Sequence, residues 1–183
     1  MYLSKIFAVS ALLFGTATAF KPGKVHAMGC HGESPNLYCY DGKDDTPQNV
    51  DPEDVAYVAK QLREYGRETN EGRFLTMTAK DAPDCAEWTI FTYHTVLVLA
   101  KHVFTGIDSS VLFEDIAKTI DGGSQVSDDM HKGILGCSGS GGARSVLVNQ
   151  GNPSYHSEEY RKAGYSPDGI LIKVVANRAH FDL

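Results

Sequence analysis

The sequence has too few basic residues for a protein that binds nucleic acid through its phosphates. Its 183 residues include 17 lysines and arginines against 23 aspartates and glutamates, which gives a formal net charge of -6. Phosphate binding needs a basic face, so we expect no nucleic-acid partner. Hydrophobic residues make up 42% of the chain and charged residues 22%, proportions typical of a folded globular domain.

Long hydrophobic runs are also missing. The uncharged stretch at residues 6–20 is shorter than the roughly 17–20 apolar residues that cross a bilayer, so we expect no membrane span. Lys5 precedes this stretch, and the small residues Ala17-Thr18-Ala19 lie near its end. This pattern is typical of a secretory signal peptide over residues 1–19, cleaved before Phe20. The sequence therefore predicts a secreted, extracellular protein.

Cysteine is scarce, and its spacing excludes the usual zinc sites. The four cysteines, Cys30, Cys39, Cys85 and Cys137, form none of the close pairs that bind zinc. An even number in a secreted chain predicts two disulfides, for which three connectivities are possible. We therefore expect a disulfide-stapled protein with no metal.

The glycine-rich run at 136–142 (GCSGSGG) lacks the residues of the common cofactor loops. It has no lysine for a phosphate loop, it lacks the glycine spacing of a dinucleotide-binding turn, and it contains no Gly-x-Ser-x-Gly elbow. We expect no cofactor here. The glycines instead allow close backbone approach around Cys137.

Local patterns predict an alternation of helices and strands after a loop-rich arm at 20–50. Asp51 and Pro52 begin a helix over 52–65, which Gly66 ends. Residues 73–79 resemble a strand. The apolar segment 88–103 favours one or two buried strands because it is rich in β-branched and aromatic residues, with a buried helix as the alternative.

The second half of the chain continues in the same way. Ser109 or Ser110 is expected to cap a helix over 111–120, followed by a strand at 144–149, a short helix at 157–162, a strand at 170–176 and a tail at 177–183. This order predicts an α+β fold over 51–176. We expect a two-layer sandwich, with two main helices on one face of an antiparallel or mixed sheet.

Two histidines in the apolar segment are candidates for acid–base chemistry. His94 and His102 are separated by an even number of residues, so a strand would place them on one face. With Glu87 or Asp115 they suggest a small secreted hydrolase, directed at ribonucleic acid or glycans. The alternative is that both histidines are structural. No nucleophile motif accompanies them, so we favour binding over catalysis.

The tyrosines at 155, 160 and 165 are the best candidates for ligand contact. They lie in a loop-rich segment, where aromatic side chains can be exposed. For Trp88 and Tyr93, packing in the core or on the surface is expected instead of a role in a carbohydrate platform.

Three segments of the sequence form a recognisable set: MGCHGES at 28–34 with Cys39 beyond it, GCSGS at 136–140, and the closing strand GILIKVV at 169–175. Together they resemble segments of secreted fungal killer toxins of the "killer protein four" type. The resemblance implies a two-layer α/β sandwich and a toxin or effector that acts on other cells. Such toxins block calcium entry through a lysine-rich surface, which has no obvious counterpart in this acidic chain. The resemblance therefore implies a toxin-like binding protein more than a channel blocker, with a structural wall-associated protein as a further alternative.

The same resemblance implies a disulfide pattern. It would pair Cys30 with Cys137 and leave Cys39 for Cys85. A local Cys30–Cys39 bond is the main rival, because a short loop closes easily.

Overall fold

The computed structural model describes residues 30, 32–123 and 132–181. The predicted signal peptide and the first residues of the arm lie outside these ranges, so cleavage before Phe20 stays a prediction. No helix within the described ranges is both long and apolar enough to cross a membrane.

The chain forms an α+β fold of seven strands, four α-helices and two 3-10 helices within the described residues. The strands are β1 (Tyr38–Cys39), β2 (Phe74–Met77), β3 (Glu87–Tyr93), β4 (Val96–His102), β5 (Ser109–Leu112), β6 (Gly142–Ser145) and β7 (Ile170–Ala176). The helices are α1 (Pro52–Gly66), α2 (Phe113–Asp121), α3 (Glu158–Lys162) and α4 (Arg178–Phe181). The 3-10 helices span Ile134–Ser140 and Pro153–His156.

Two antiparallel sheets organise these elements. Five strands pair in the order β1-β6-β7-β4-β3, while β2 and β5 form a separate ribbon. The arm therefore contributes an edge strand to the main sheet. The predicted α+β fold with an antiparallel sheet is confirmed.

The main core lies between α1, α2 and one face of the large sheet. Alternate residues of β4, such as Val96, Val98 and Ala100, are fully buried and belong to the same apolar cluster as Leu62 of α1 and Ile116 of α2. A smaller cluster contains Cys30, Val103, Ala143 and Leu171. Because side chains alternate along a strand, Leu171 lies on the face of the sheet opposite to the helices.

Helix α1 confirms the strongest local prediction. The Asp51 carboxylate accepts a hydrogen bond from the Glu53 amide at 2.8 Å, and Pro52 occupies the first turn, where its missing N–H costs nothing. Gly66 was expected just beyond the helix but is its last residue. A Cβ there would lie 2.9 Å from the Glu114 amide nitrogen, so glycine is needed for α1 to pack against α2.

The apolar segment at 88–103 forms the hairpin β3–β4, which confirms strands rather than a helix. Tyr93 pairs with Val96 across the tight turn, and the pairing continues to Glu87 and Lys101 with a register shift between Thr89 and Phe91. His94 lies in that turn with a φ of 39°, not on a strand. Its expected position on the same strand face as His102 is therefore wrong.

The predicted start of the second helix is also wrong. Ser109 and Ser110 lie in β5, where they pair with Met77 and Thr76 of β2. Helix α2 instead begins at Phe113, after Leu112 at the N-cap position. Pairing across the ribbon outweighs the local capping tendency of serine.

The strand expected at 144–149 is shifted towards the amino terminus, to β6. The backbone beyond β6 bonds to α2 instead: the Leu147 amide donates to the Thr119 hydroxyl at 2.8 Å, and the Asn149 amide donates to the Asp115 carboxylate at 3.1 Å. The short helix α3 and the final strand β7 are confirmed within a residue of their predicted bounds.

Two disulfides are present, but the pairing implied by the resemblance is wrong. Cys30 bonds to Cys85, and Cys39 bonds to Cys137. The rival Cys30–Cys39 bond is wrong as well. Strand β1 pairs with β6, which brings Cys39 opposite Gly142 and beside Cys137. A Cβ at Gly142 would lie 3.0 Å from the Cys137 sulfur, so the expected close approach at these glycines is real.

Candidate functional site

The three predicted contact tyrosines come together in one aromatic cluster. Tyr155 and Tyr160 meet edge to face with ring centres 5.4 Å apart, and Tyr165 lies 5.6 Å from Tyr160. Phe74 of β2 completes the cluster, 5.3 Å from the ring of Tyr160. A segment of only 11 residues is thus packed on a strand about 80 positions earlier in the chain.

Two capped turns aim these rings inward. The Asn152 side chain accepts a hydrogen bond from the Ser154 amide at 3.0 Å and begins the second 3-10 helix. The Ser157 hydroxyl accepts from the Tyr160 amide at 3.1 Å and begins α3. Side chains that satisfy the free amides of a helix start fix its direction.

Hydrogen bonds from the phenol groups anchor the cluster to the ribbon and to α2. The Tyr160 hydroxyl donates to the Ser110 carbonyl oxygen at 2.7 Å. The Tyr155 hydroxyl donates to the Asp115 carboxylate at 2.7 Å and accepts from the Leu112 amide at 2.9 Å. Burial raises the pKa of each phenol above the ordinary value of a tyrosine. The hydrogen bond to Asp115 raises the pKa of Tyr155 further. Both phenols are therefore neutral at physiological pH.

An open groove of about 910 Å³ lies against this cluster. Its walls are residues 70–72, β2, β5, the second 3-10 helix and α3, and its aromatic lining comes from Phe74, Tyr160 and Tyr165. Tyr155 is 5% exposed and supports the groove from below. The volume is in the range of small-molecule sites, which are mostly apolar with a few polar groups. We call this feature the aromatic groove.

Most polar groups of the aromatic groove already have partners in the protein. The hydroxyls of Thr76 and Ser110 bond to each other at 2.8 Å, and the Ser154 hydroxyl donates to the Glu71 carbonyl oxygen at 2.5 Å. The Ser157 hydroxyl caps α3, as described above. Among the described residues, this leaves the Asn70 amide, the Tyr165 hydroxyl and two carboxylates as the side-chain polar groups open to a ligand.

The two carboxylates belong to Glu71, in the segment 70–72, and to Glu159, in α3. Both residues are exposed. Within residues 32–123 and 132–181, neither carboxylate accepts a hydrogen bond or forms an ion pair. The aromatic groove thus combines aromatic rings with uncompensated negative charge.

His102, a predicted catalytic candidate, is fully buried. One ring nitrogen lies 2.8 Å from the Ala82 carbonyl oxygen, and the other lies 3.1 Å from the Ser109 hydroxyl. Both nitrogens are therefore occupied within the core, which links β4 to β5 and to the loop before β3. This environment fits the structural alternative for His102.

His94, the other candidate, lies at the opposite end of β4. Its ring stacks on Tyr93 with centres 4.0 Å apart, and one nitrogen lies 3.4 Å from the Asp54 carboxylate. Burial alone would raise the pKa of Asp54, but two hydrogen bonds from Thr95 and the neighbouring His94 outweigh it and leave this pKa below its ordinary value. The contact fixes the hairpin turn on the first turn of α1.

Glu87 and Asp115, the carboxylates predicted to act with these histidines, do not share a site with them. Glu87 forms an ion pair with Lys173 at 3.1 Å, on the sheet face opposite to His102. Asp115 holds Tyr155, and burial raises the pKa of its carboxyl, although the bonds from Tyr155 and Asn149 oppose the shift. The structure does not bring His94, His102, Glu87 and Asp115 together.

A second, smaller cavity of about 470 Å³ lies beside α1, lined in part by Tyr65, Phe91 and Phe113. Trp88 and Tyr93 are half-buried against the main core, as expected. Among the described residues, no group of three histidine, cysteine or acidic side chains is arranged to hold a metal ion.

Sequence reasoning found the tyrosines of the aromatic groove but missed Glu71, Phe74 and Glu159. The first two lie far from the tyrosines in the chain, and no local pattern sets them apart. Only the pairing of β2 with β5 brings them to the groove.

Comparison with known proteins finds no matching family model, no matching curated protein and no matching solved structure.

Proposed function

We propose that this chain is an extracellular binding protein that acts on other cells, in the manner of a toxin or effector, and that the aromatic groove is its contact site. The observation that carries the proposal is the groove itself. It is open, large enough for a ligand and lined by Phe74, Tyr160 and Tyr165. Aromatic side chains supply much of the binding energy at protein recognition sites.

The scaffold beneath the aromatic groove supports the same proposal. Tyr155 and Tyr160 are anchored by their hydroxyls, so little ordering is needed when a ligand binds. Two disulfides are compatible with an extracellular protein, because such bonds persist in oxidising surroundings. The resemblance to killer toxins adds the expectation that the target lies on another cell.

A variant that fills the groove tests this proposal. Ala163 is exposed and lines the groove at the end of α3, so Ala163→Trp places a large side chain in it. Ala56→Trp is the matched control, because Ala56 is exposed on α1 and outside the groove. Fluorescently labelled full chain is applied to intact fungal and plant cells, and bound protein is measured against concentration.

We expect saturable binding of the wild type and the control, with a loss of about tenfold or more for Ala163→Trp. Circular dichroism and thermal unfolding confirm that both variants are folded. Equal binding by the two tryptophan variants would reject the aromatic groove as the contact site. An absence of saturable binding to any of the cells would reject the toxin-like function.

A further inference from the structure

We propose that the aromatic groove binds an amphipathic organic cation, a small molecule with an aromatic or other apolar body and an ammonium group that faces Glu71 and Glu159. This inference rests on the proposed function, since it assigns a ligand class to the same site. Three features of the groove support it: the negative charge of its lining, the hydroxyls that are already hydrogen-bonded within the protein, and its aromatic rings.

The charge of the lining has one sign. Glu71 and Glu159 are the only charged side chains among the described residues that line the groove. Neither has a partner in the described part of the protein, so their charge is available to a ligand. An anionic ligand would be repelled by both carboxylates, whereas a cation would be attracted by both.

Two basic residues that lie close in the chain to residues of the groove lining have partners elsewhere. The Arg73 guanidinium lies over the ring of Tyr65 at 4.3 Å and forms an ion pair with Glu68. Lys162 of α3 pairs with Glu158, one turn earlier in the helix. Neither of these cations lines the groove.

The hydroxyl groups argue against a sugar as the ligand. Recognition of a glycan needs many donors and acceptors, yet three hydroxyls of the groove already bond within the protein, those of Thr76 and Ser110 to each other and that of Ser154 to the backbone. Few side-chain groups of the described residues remain for a sugar: the Asn70 amide, the Tyr165 hydroxyl and the two carboxylates. Breaking the existing hydroxyl bonds to reach a ligand costs about as much as the new bonds return. The groove therefore favours an apolar body with one charged end.

The aromatic rings favour the same chemistry. Phe74, Tyr160 and Tyr165 form a continuous apolar wall, and the faces of such rings attract cations. An ammonium group between this wall and the two carboxylates gains from both. The volume of about 910 Å³ accommodates a small molecule of this class with its body against the rings.

A charge series on one aromatic body tests the proposal. Tryptamine, tryptophol and indole-3-propionate carry a positive, neutral and negative end on the same indole ring. Their affinities for the full chain are measured by calorimetry at low salt and again at about 0.3 M salt, where charge interactions are strongly screened. We expect tryptamine to bind about tenfold more tightly than tryptophol at low salt, and indole-3-propionate to bind most weakly.

Charge-removing variants assign the effect to the two carboxylates. The double variant Glu71→Gln with Glu159→Gln should weaken tryptamine binding about tenfold and leave tryptophol unchanged. Glu158→Gln is the matched control, because it removes an acid from the same helix but outside the groove. Both carboxylates are exposed and unpaired, so the variants should fold as the wild type does.

Several results would overturn the inference. Equal affinity for tryptamine and tryptophol would do so, and so would a double variant that has no effect. Failure of tryptamine to bind would also overturn it. If chitotriose then binds and Ala163→Trp abolishes that binding, the ligand is a sugar. If any of these results occurs while Ala163→Trp still loses cell binding, only the ligand class is wrong. If tryptamine binds as expected but Ala163→Trp binds cells normally, the proposed function fails instead.

Discussion

The aromatic groove and the surroundings of strand β4 both contain candidate functional groups, but these groups differ in whether they have partners within the protein. Around β4, every candidate group has a partner: His102 lies between Ala82 and Ser109, and His94 lies against Asp54. In the groove, the hydroxyls of Thr76, Ser110 and Ser154 bond within the protein, while the carboxylates of Glu71 and Glu159 have no partner among the described residues. Polar groups that are hydrogen-bonded within the fold stabilise it, whereas polar groups without a partner in the protein are available to bind a ligand.

The comparison explains why residue type alone was a weak guide to the site. A histidine and a nearby acid suggest catalysis only if their polar atoms remain available in a shared cavity. His102 fails this condition because it is buried and bonded at both nitrogens. The tyrosine cluster differs because Tyr160 and Tyr165 line an open groove, although the hydroxyls of Tyr155 and Tyr160 are bonded within the fold.

The largest expected effect concerns His102. We expect His102→Ala to reduce the free energy of unfolding by about 3–5 kcal/mol, because it leaves a cavity and removes the partners of the Ala82 carbonyl and the Ser109 hydroxyl. Urea unfolding monitored by circular dichroism measures the change. His94→Ala is the comparison and should cost about 1 kcal/mol or less, because the side chain is 60% exposed. Equal costs would contradict the structural role assigned to His102.

Asp115 gives the next effect. Asp115→Ala leaves the Tyr155 hydroxyl and the Asn149 amide without their acceptor, so we expect a loss of about 2–4 kcal/mol. Asp115→Asn keeps an acceptor oxygen and should cost about 1 kcal/mol or less at neutral pH. Thermal unfolding of the two variants measures both values.

The sign of the pH dependence provides a further test of the environment of Asp115. Burial raises the pKa of Asp115, so the protonated form is favoured in the folded state. Its stabilising effect is present below the unfolded pKa of about 3.9 and is lost as the pH rises through the folded value. As the pH rises over this range, Asp115→Asn should therefore gain stability relative to the wild type. A constant difference at all pH values would contradict the assigned shift.

The smallest expected effect concerns the hairpin turn at Asp54. The pKa of this carboxyl is lowered in the fold, so its contribution is present above the unfolded pKa of about 3.9 and is lost as the pH falls through the folded value. We expect Asp54→Asn to cost about 1 kcal/mol at neutral pH, with the difference from the wild type shrinking in acid. Unfolding curves recorded at neutral and acidic pH provide the check, and a difference that grows in acid would contradict it.

The parts of the fold that were predictable from sequence depend on neighbouring residues. Helix α1 follows from Asp51, Pro52 and the helical spacing of its apolar residues, and β7 follows from a short apolar run after a turn. The errors arose where distant segments decide. Ser109 and Ser110 look like helix caps until β2 pairs with them, and the partner of Cys39 depends on the pairing of β1 with β6.

The same distinction applies to the candidate site. The segment 155–165 is compact in sequence, so its three tyrosines were predictable as a group. Phe74 and Glu71 come from the other end of a long-range strand pairing. The open state of Glu159 likewise depends on which basic residues lie near it in the folded protein.

The most direct test sets the two regions against each other in one cell-binding assay. His94→Ala changes the exposed candidate at the end of β4, while Ala163→Trp fills the aromatic groove, and both sites are exposed enough for the variants to remain folded. We predict wild-type binding for His94→Ala and a loss of about tenfold or more for Ala163→Trp. Loss of binding in His94→Ala together with wild-type binding in Ala163→Trp would contradict the account.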